Sequence, residues 1–311
     1  MKKIILIFLP FYVFAGTYDY LKIPFSSKES AILNLFGLFG RSGSALFVNP
    51  ASIFEMEKIF ETGYGNYLID MHKGFISFPI FKEENPFLSI GIRFLYLGKF
   101  TKTDSFGNKI GEYSGENISL GLYFPVLNKY KIGAGFEILY NAIENYSSIG
   151  EMVSIGWNFY EKEIKDGLFR NSFIIKNFGF EIKPFHKKRA EFPLRFVYAG
   201  GLRFRTFEAG ISLFYTLKEG LDGEISYFYR WGKNLKVAIS YTTYNRDVGI
   251  GESIRDILSG ISTGIGIDIK KVYLFYSYTP FGIFGDIHRI DISYRFWKYF
   301  LFSFLEQFYL L

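Results

Sequence analysis

The side chains best suited to proton transfer or metal ligation are three histidines, His72, His186 and His288, and their placement argues against both roles. All three fall at or near expected loops, and a shared metal would need them to converge with carboxylates at ligand distance. Cysteine is absent, which removes disulfides, thiolate metal centres and cysteine nucleophiles. A serine nucleophile needs a histidine and a carboxylate beside it, and the GxSxG spacing at Gly260–Gly264 falls inside an expected strand, not at the strand-to-helix turn of a nucleophile elbow. The strings GIGESI and GISTGIGID look like phosphate-binding loops but lack the strand, glycine loop and helix that make such a loop work. No catalytic, cofactor-binding or metal-binding residue is assigned, and the expectation is a protein that is not an enzyme.

The remaining chemistry is charge at regular spacing. Ile290, Ile292, Tyr294 and Phe296 alternate with Arg289, Asp291, Ser293 and Arg295, the period of a strand with one apolar and one ionic face. Ile90, Ile92, Phe94 and Tyr96 oppose Arg93 in the same way, and Phe207, Ala209, Ile211 and Leu213 oppose Glu208 and Ser212. The candidates on ionic faces are Arg93, Glu137, Arg203, Arg205, Glu208, Asp268, Arg289, Asp291 and Arg295. Opposite charges on neighbouring strands brace one another, and ion-pair ladders are the role expected here; a polar conduit is the other use of such a face. The net charge of +6 is scattered rather than clustered, so no nucleic-acid partner is expected.

These strands imply a body that positions them. About fourteen alternating segments follow one another from residue 59 to residue 297. Most exceed an ordinary globular strand and match a tilted membrane strand in length. Connections alternate too: even-numbered ones such as LNKY, RT and KK are short, while odd-numbered ones include TKTDSFGNKIG and YNRDVGIGESIRDIL. Membrane barrels have this asymmetry, with short periplasmic turns and long outer loops. An arginine facing mid-bilayer lipid costs about 2–4 kcal/mol, so the faces bearing Arg93, Arg289 and Arg295 point inward. Aromatic residues reach 21%, which suits interfacial girdles. After the N-terminal run, no stretch offers the roughly 18 consecutive apolar residues of a spanning helix. The expected fold class is all-β: one transmembrane antiparallel β-barrel of about 14 strands in the bacterial outer membrane, in contact with its lipid and lipopolysaccharide. His186, Lys187, Lys188 and Arg189 form a basic outer loop suited to anionic lipopolysaccharide or a partner.

The flanks differ from the strands. Lys2 and Lys3 precede the apolar run Ile4 to Phe14, with Val13 and Ala15 at the −3 and −1 positions of a cleavage site, the pattern of a signal peptide over 1–15. Residues 16–58 lack strand alternation and read as a hatch or plug, with Asn49-Pro50-Ala51 as its motif. A short helix is expected over Ile53 to Lys58, boxed by Ser52 and Glu55. The barrel is expected over 59–297. In the tail, 298–311, Phe300, Phe304 and Phe308 form one helical stripe; an interfacial helix, packing in the lumen and extension of the last strand all stay open.

Two stretches resemble one family. ALFVNPASI is similar to the A-L-x-x-N-P-A-G-L signature of PorV/PorQ-type outer-membrane proteins. ISTGIGIDIKKVYLFYSYTPFGIFGDIHRIDISYRF is similar to their closing hairpins through Pro280, Phe281, Gly282, His288, Arg289, Arg295 and Phe296. The resemblance implies a fourteen-stranded FadL-like barrel with an N-terminal hatch. It also implies a role in protein export or surface attachment, since named members work in type IX secretion, with secreted cargo and secretion-system proteins as partners. The NPA motif is shared with the wider FadL-like superfamily, which makes uptake of hydrophobic small molecules the alternative function. The family's G-M-G-G-A segment is replaced here by LNLFGLFGRSGSA.

Overall fold

The alternation resolves, in the computed structural model, into one closed antiparallel barrel. The structure describes residues 18–68, 70–185, 187, 189–244, 258–282 and 285–296. The strands are β1 (Ile59–Asn66), β2 (His72–Lys82), β3 (Asn85–Thr103), β4 (Lys109–Leu127), β5 (Ile132–Ile143), β6 (Tyr146–Ile164) and β7 (Gly167–Lys183), followed by β8 (Arg195–Phe204), β9 (Phe207–Thr216), β10 (Gly220–Trp231), β11 (Leu235–Thr242), β12 (Ile261–Ile269), β13 (Val272–Pro280) and β14 (Asp286–Arg295). Each pairs with its sequence neighbours, and β1 pairs with β14 to close the ring. Closure removes the unpaired edges that lipid would penalise. Phe296, the last described residue, adds a further rung, its N–H donating to the Lys58 carbonyl at 3.0 Å. Among the described residues no helix is long and apolar enough to cross a membrane.

Burial follows the sequence period. In β14, Arg289, Asp291 and Ser293 are buried while Ile290, Ile292 and Tyr294 are exposed. Arg93 is buried between exposed Ile92 and Phe94, and buried Glu208 and Ser212 oppose exposed Ile211 and Leu213. An apolar exterior over an ionic interior is the pattern of a barrel in the bacterial outer membrane. We therefore expect Ile292→Arg to destabilise the barrel by about 2–4 kcal/mol in urea unfolding from liposomes. Phe106→Arg, in the β3–β4 loop and 89% exposed, is expected to stay within about 0.5 kcal/mol.

Residues 18–58 do not join the sheet. They form a 3-10 turn at Asp19–Lys22, helix α1 (Ser27–Phe39), and 3-10 turns at Gly43–Phe47 and Pro50–Glu55. One apolar cluster gathers Phe25, Leu46, Phe47 and Ile53 against Phe75, Leu95, Tyr123 and Leu139 of the wall. A second gathers Ile32, Leu35, Phe36 and Phe39 against Ala199, Phe228, Ala238 and Phe275. The inner wall thus mixes charged and small side chains with scattered large apolar ones, and the segment packs its own large apolar side chains against the latter.

The helix lies elsewhere than the sequence reading expects. Ser26 Oγ accepts from Glu29 N at 2.9 Å and Glu29 Oε2 accepts from Phe25 N at 2.8 Å, a capping-box pattern that starts α1 with the glutamate reaching one residue before the cap. Leu33 breaks it with φ 49° and ψ −136°, a conformation costing a non-glycine residue about 1–3 kcal/mol; packing on both sides holds it there. Over Pro50–Glu55 a single 3-10 turn forms instead, capped by Asn49, whose Oδ1 accepts from Ala51 N at 3.0 Å. Ser52 Oγ donates to the Gly37 carbonyl at 2.7 Å rather than capping a helix. The reason is space, since β1 begins at Ile59 and the chain must already be extended by then. The signal peptide over 1–15, the tail over 298–311, His186 and Lys188 lie outside the described residues.

Candidate functional site

The lumen is the candidate site, and its charged residues act mainly as clamps on the N-terminal segment. Glu61 of β1 pairs with Lys28 of α1 and accepts from Ser44 N at 3.0 Å and Ser44 Oγ at 2.5 Å. The Lys28 ammonium also donates to Ser42 Oγ at 3.2 Å and Ser293 Oγ at 3.0 Å. Asp291 accepts from Ser27 N at 2.9 Å and Lys28 N at 3.1 Å, placing a carboxylate at the positive end of the helix. Arg289 Nη1 donates to Ser30 Oγ at 2.7 Å, and Asn34 Nδ2 donates to Glu224 Oε2 at 2.7 Å.

The other end of α1 meets cations. Arg170 of β7 donates to the Leu38 carbonyl at 2.7 Å, to Glu55 at 2.8 Å and to Glu161 at 3.0 Å. Arg203 of β8 donates to the Phe39 carbonyl. Anion at the start and guanidinium at the end is the arrangement that complements a helix dipole. The segment is tied at the outer loops as well: Tyr18 stacks on Phe192 at 4.0 Å, and Lys22 pairs with Asp19 at 2.8 Å and with Glu219. Burial works against the charge of Lys22, but Tyr244, Asp19 and Glu219 outweigh it and raise the ammonium pKa.

The NPA turn has a seat of its own. Gly133 of β5 and Gly156 of β6 are cross-strand partners, and the turn lies directly on them. A Cβ on Gly133 would stand 2.7 Å from the Pro50 carbonyl carbon, and one on Gly156 2.7 Å from Ala51 N. Glycine is needed at both because backbone meets backbone. Asn49 Nδ2 donates to the Gly37 carbonyl at 3.1 Å and to Asn158 Oδ1 at 3.2 Å, so the asparagine links turn, helix and wall.

The ladder expected between strands is present only in part. Arg93 pairs with Glu137, which also accepts from Tyr123 OH at 2.8 Å; Arg203 pairs with Glu208 at 2.9 Å, and Lys236 with Asp268 at 2.5 Å. Arg289 and Asp291 point inward as expected but hold α1 instead of each other. Arg205 departs from the expectation: it lies in the β8–β9 turn and is exposed, because β8 ends at Phe204. Arg295 is exposed at the barrel rim, 3.6 Å from Glu57.

His72 and His288 sit on the exterior, each beside a tyrosine. Tyr64 OH lies 2.8 Å from His72 Nδ1 and Tyr276 OH 2.6 Å from His288 Nδ1. Among the described residues no three histidine or acidic side chains group as a metal site. Phe281 and Gly282 turn the last hairpin, Phe281 N–H donating to the Gly285 carbonyl at 3.0 Å. Sequence reasoning missed Glu61 and Arg170, which the alternation of β1 and β7 does mark. It also missed Lys28, which no pattern marks.

No protein-family model matches the chain, nor does any curated protein. Solved structures do match. A FadL homologue from Pseudomonas aeruginosa aligns at 12% identity with a TM-score of 0.51, covering 88% of this chain and 98% of that one. The CymD monoaromatic hydrocarbon channel and the Ralstonia pickettii toluene transporter TbuX each align at 8% identity with a TM-score of 0.51, over 88% of this chain and 98% of theirs. At such identity the likeness is one of fold. With fourteen strands, a closed seam and an interior clamped to its own N-terminal segment, the chain folds as a FadL-like outer-membrane β-barrel.

Proposed function

We propose that the protein is a conduit across the outer membrane for small hydrophobic molecules, with residues 18–58 as its hatch. The observation that carries this reading is how the hatch is held: among the described residues it meets the wall through side-chain clamps and apolar contacts, with no strand pairing before the Lys58 carbonyl that leads into β1. Such an element separates from the barrel without breaking the sheet. The likeness in fold to a monoaromatic hydrocarbon channel and a toluene transporter makes a small aromatic hydrocarbon the first substrate class to try. The reading includes no catalytic step and no cofactor. Uptake of labelled toluene by cells carrying the barrel is expected to exceed that of cells carrying an equal amount of an unrelated closed barrel. Equal rates would overturn it.

Protein export is the second reading, supported by the closing-hairpin motif from Pro280 to Phe296, which spans β13 and β14 at the seam. Its partners would be secreted cargo or secretion-system proteins, with lipopolysaccharide at the outer leaflet. Pull-down from the native host is expected to recover such proteins if this reading holds, and recovery of neither would remove it.

A further inference from the structure

A cavity of about 380 Å³ opens at the periplasmic end, between the second half of α1 and the wall. Its rim contains the β8–β9 and β12–β13 turns and the end of β14, through Arg205, Lys271 and Arg295. Eight cationic side chains line it against three carboxylates. Lys28 has its partner, Glu61, just outside the lining, and two of the remaining unbalanced charges come from shared counter-ions. Glu208 serves both Arg203, at 2.9 Å, and Arg230. Glu57 serves both Arg41, at 2.9 Å, and Arg295, at 3.6 Å. Each triad therefore keeps one positive charge.

Apart from Ser42, Ser293 and Tyr273, the rest of the lining is apolar. Ile32, Phe36 and Phe39 of α1 and Phe228 of β10 face the same space. The guanidinium carbon of Arg203 stands 4.5 Å from the centre of the Phe39 ring, and that of Arg230 5.2 Å from the centre of the Phe228 ring, so each charge is held over a ring. Two like-charged triads around a partly enclosed space repel one another and attract an anion. A guanidinium pairs with a planar carboxylate through parallel hydrogen bonds, and a ring-sized body fits a cavity of this volume.

We infer that this vestibule is a binding site for a small amphiphilic carboxylate: one acidic head on the arginines, with a compact apolar body on Phe36, Phe39 and Phe228. The site is separate from hydrocarbon passage, and its test does not involve uptake. The full-length barrel in a non-ionic detergent is titrated with benzoate by equilibrium dialysis, with benzyl alcohol as neutral counterpart and acetate as a head without a body. Benzoate is expected to bind saturably, and at least tenfold more tightly than either. Arg203→Gln/Arg230→Gln is expected to weaken benzoate about tenfold or more. Arg295→Gln, which is at the exposed rim and spares the wall, is expected to weaken it about threefold, with both variants checked for the heat-sensitive mobility of a folded barrel. Benzyl alcohol binding as tightly as benzoate would overturn the assignment, as would benzoate affinity unchanged in folded Arg295→Gln. Acetate displacing benzoate at equal concentration would overturn the role of the rings.

Discussion

Gly156→Val is expected to lower the unfolding midpoint of the purified barrel sharply and to expose the N-terminal segment to protease. The valine would push its side chain into the backbone of Ala51 and into Asn49, since a Cβ on Gly156 would stand 2.7 Å from Ala51 N and closer still to Asn49 Oδ1. Its cross-strand partner Gly133 leaves no room on the other side, since Pro50 rests there. Overpacking of this kind costs about 1–3 kcal/mol, and lifting the turn would also break the Asn49 links to Gly37 and Asn158. We expect a total near the upper end, about 3 kcal/mol, read as urea unfolding in detergent together with the rate of trypsin cleavage within residues 18–58. Unchanged stability and unchanged cleavage would mean that the NPA turn is not seated on the glycine pair.

Glu61→Leu is expected to be comparably damaging for an electrostatic reason. It leaves the Lys28 ammonium buried at the seam beside β14 without its paired carboxylate, its remaining hydrogen bonds going to the Ser42 and Ser293 hydroxyls, and breaking a buried pair from one side costs about 3–5 kcal/mol. Lys28→Met/Glu61→Leu removes both charges and replaces them with apolar groups of similar length, a change that is often close to neutral. The double variant is therefore expected to recover most of the stability lost in Glu61→Leu. If it is as unstable as the sum of the two single variants, the pair is not the coupled clamp described here.

The wall of this protein was legible in the sequence because lipid imposes a strict rule on it. Ile290, Ile292 and Tyr294 had to face one medium and Arg289, Asp291 and Ser293 the other, and a period of two with costly exceptions leaves one solution. Strand ends were less legible: β3, β4 and β6 each run 19 residues, and past the lipid no apolar beat marks where they stop. The interior was hardest to read. The spacing S-x-x-E occurs at Ser26–Glu29 and at Ser52–Glu55, and only the three-dimensional room decides which starts a helix. The destination of the inward charges was likewise hidden. Alternation shows that Asp291 points inward, yet nothing local shows that it meets Ser27 and Lys28 more than 260 residues away. Arg205 shows the converse error, in which a charge that fits the face pattern falls one residue beyond its strand.

The central claim is that the N-terminal segment is a removable hatch and that small hydrophobic molecules pass only when it shifts. Ser30 of α1 and Thr279 of β13 offer a direct test, because their hydroxyl oxygens lie 3.0 Å apart and the chain has no cysteine of its own. Ser30→Cys/Thr279→Cys places one disulfide between hatch and wall at a separation such a bond accommodates. Toluene uptake by cells carrying this variant is to be measured oxidised and then reduced. The account predicts uptake at the background of the closed barrel when oxidised and recovery on reduction; equal uptake in the two states, both above that background, would contradict it.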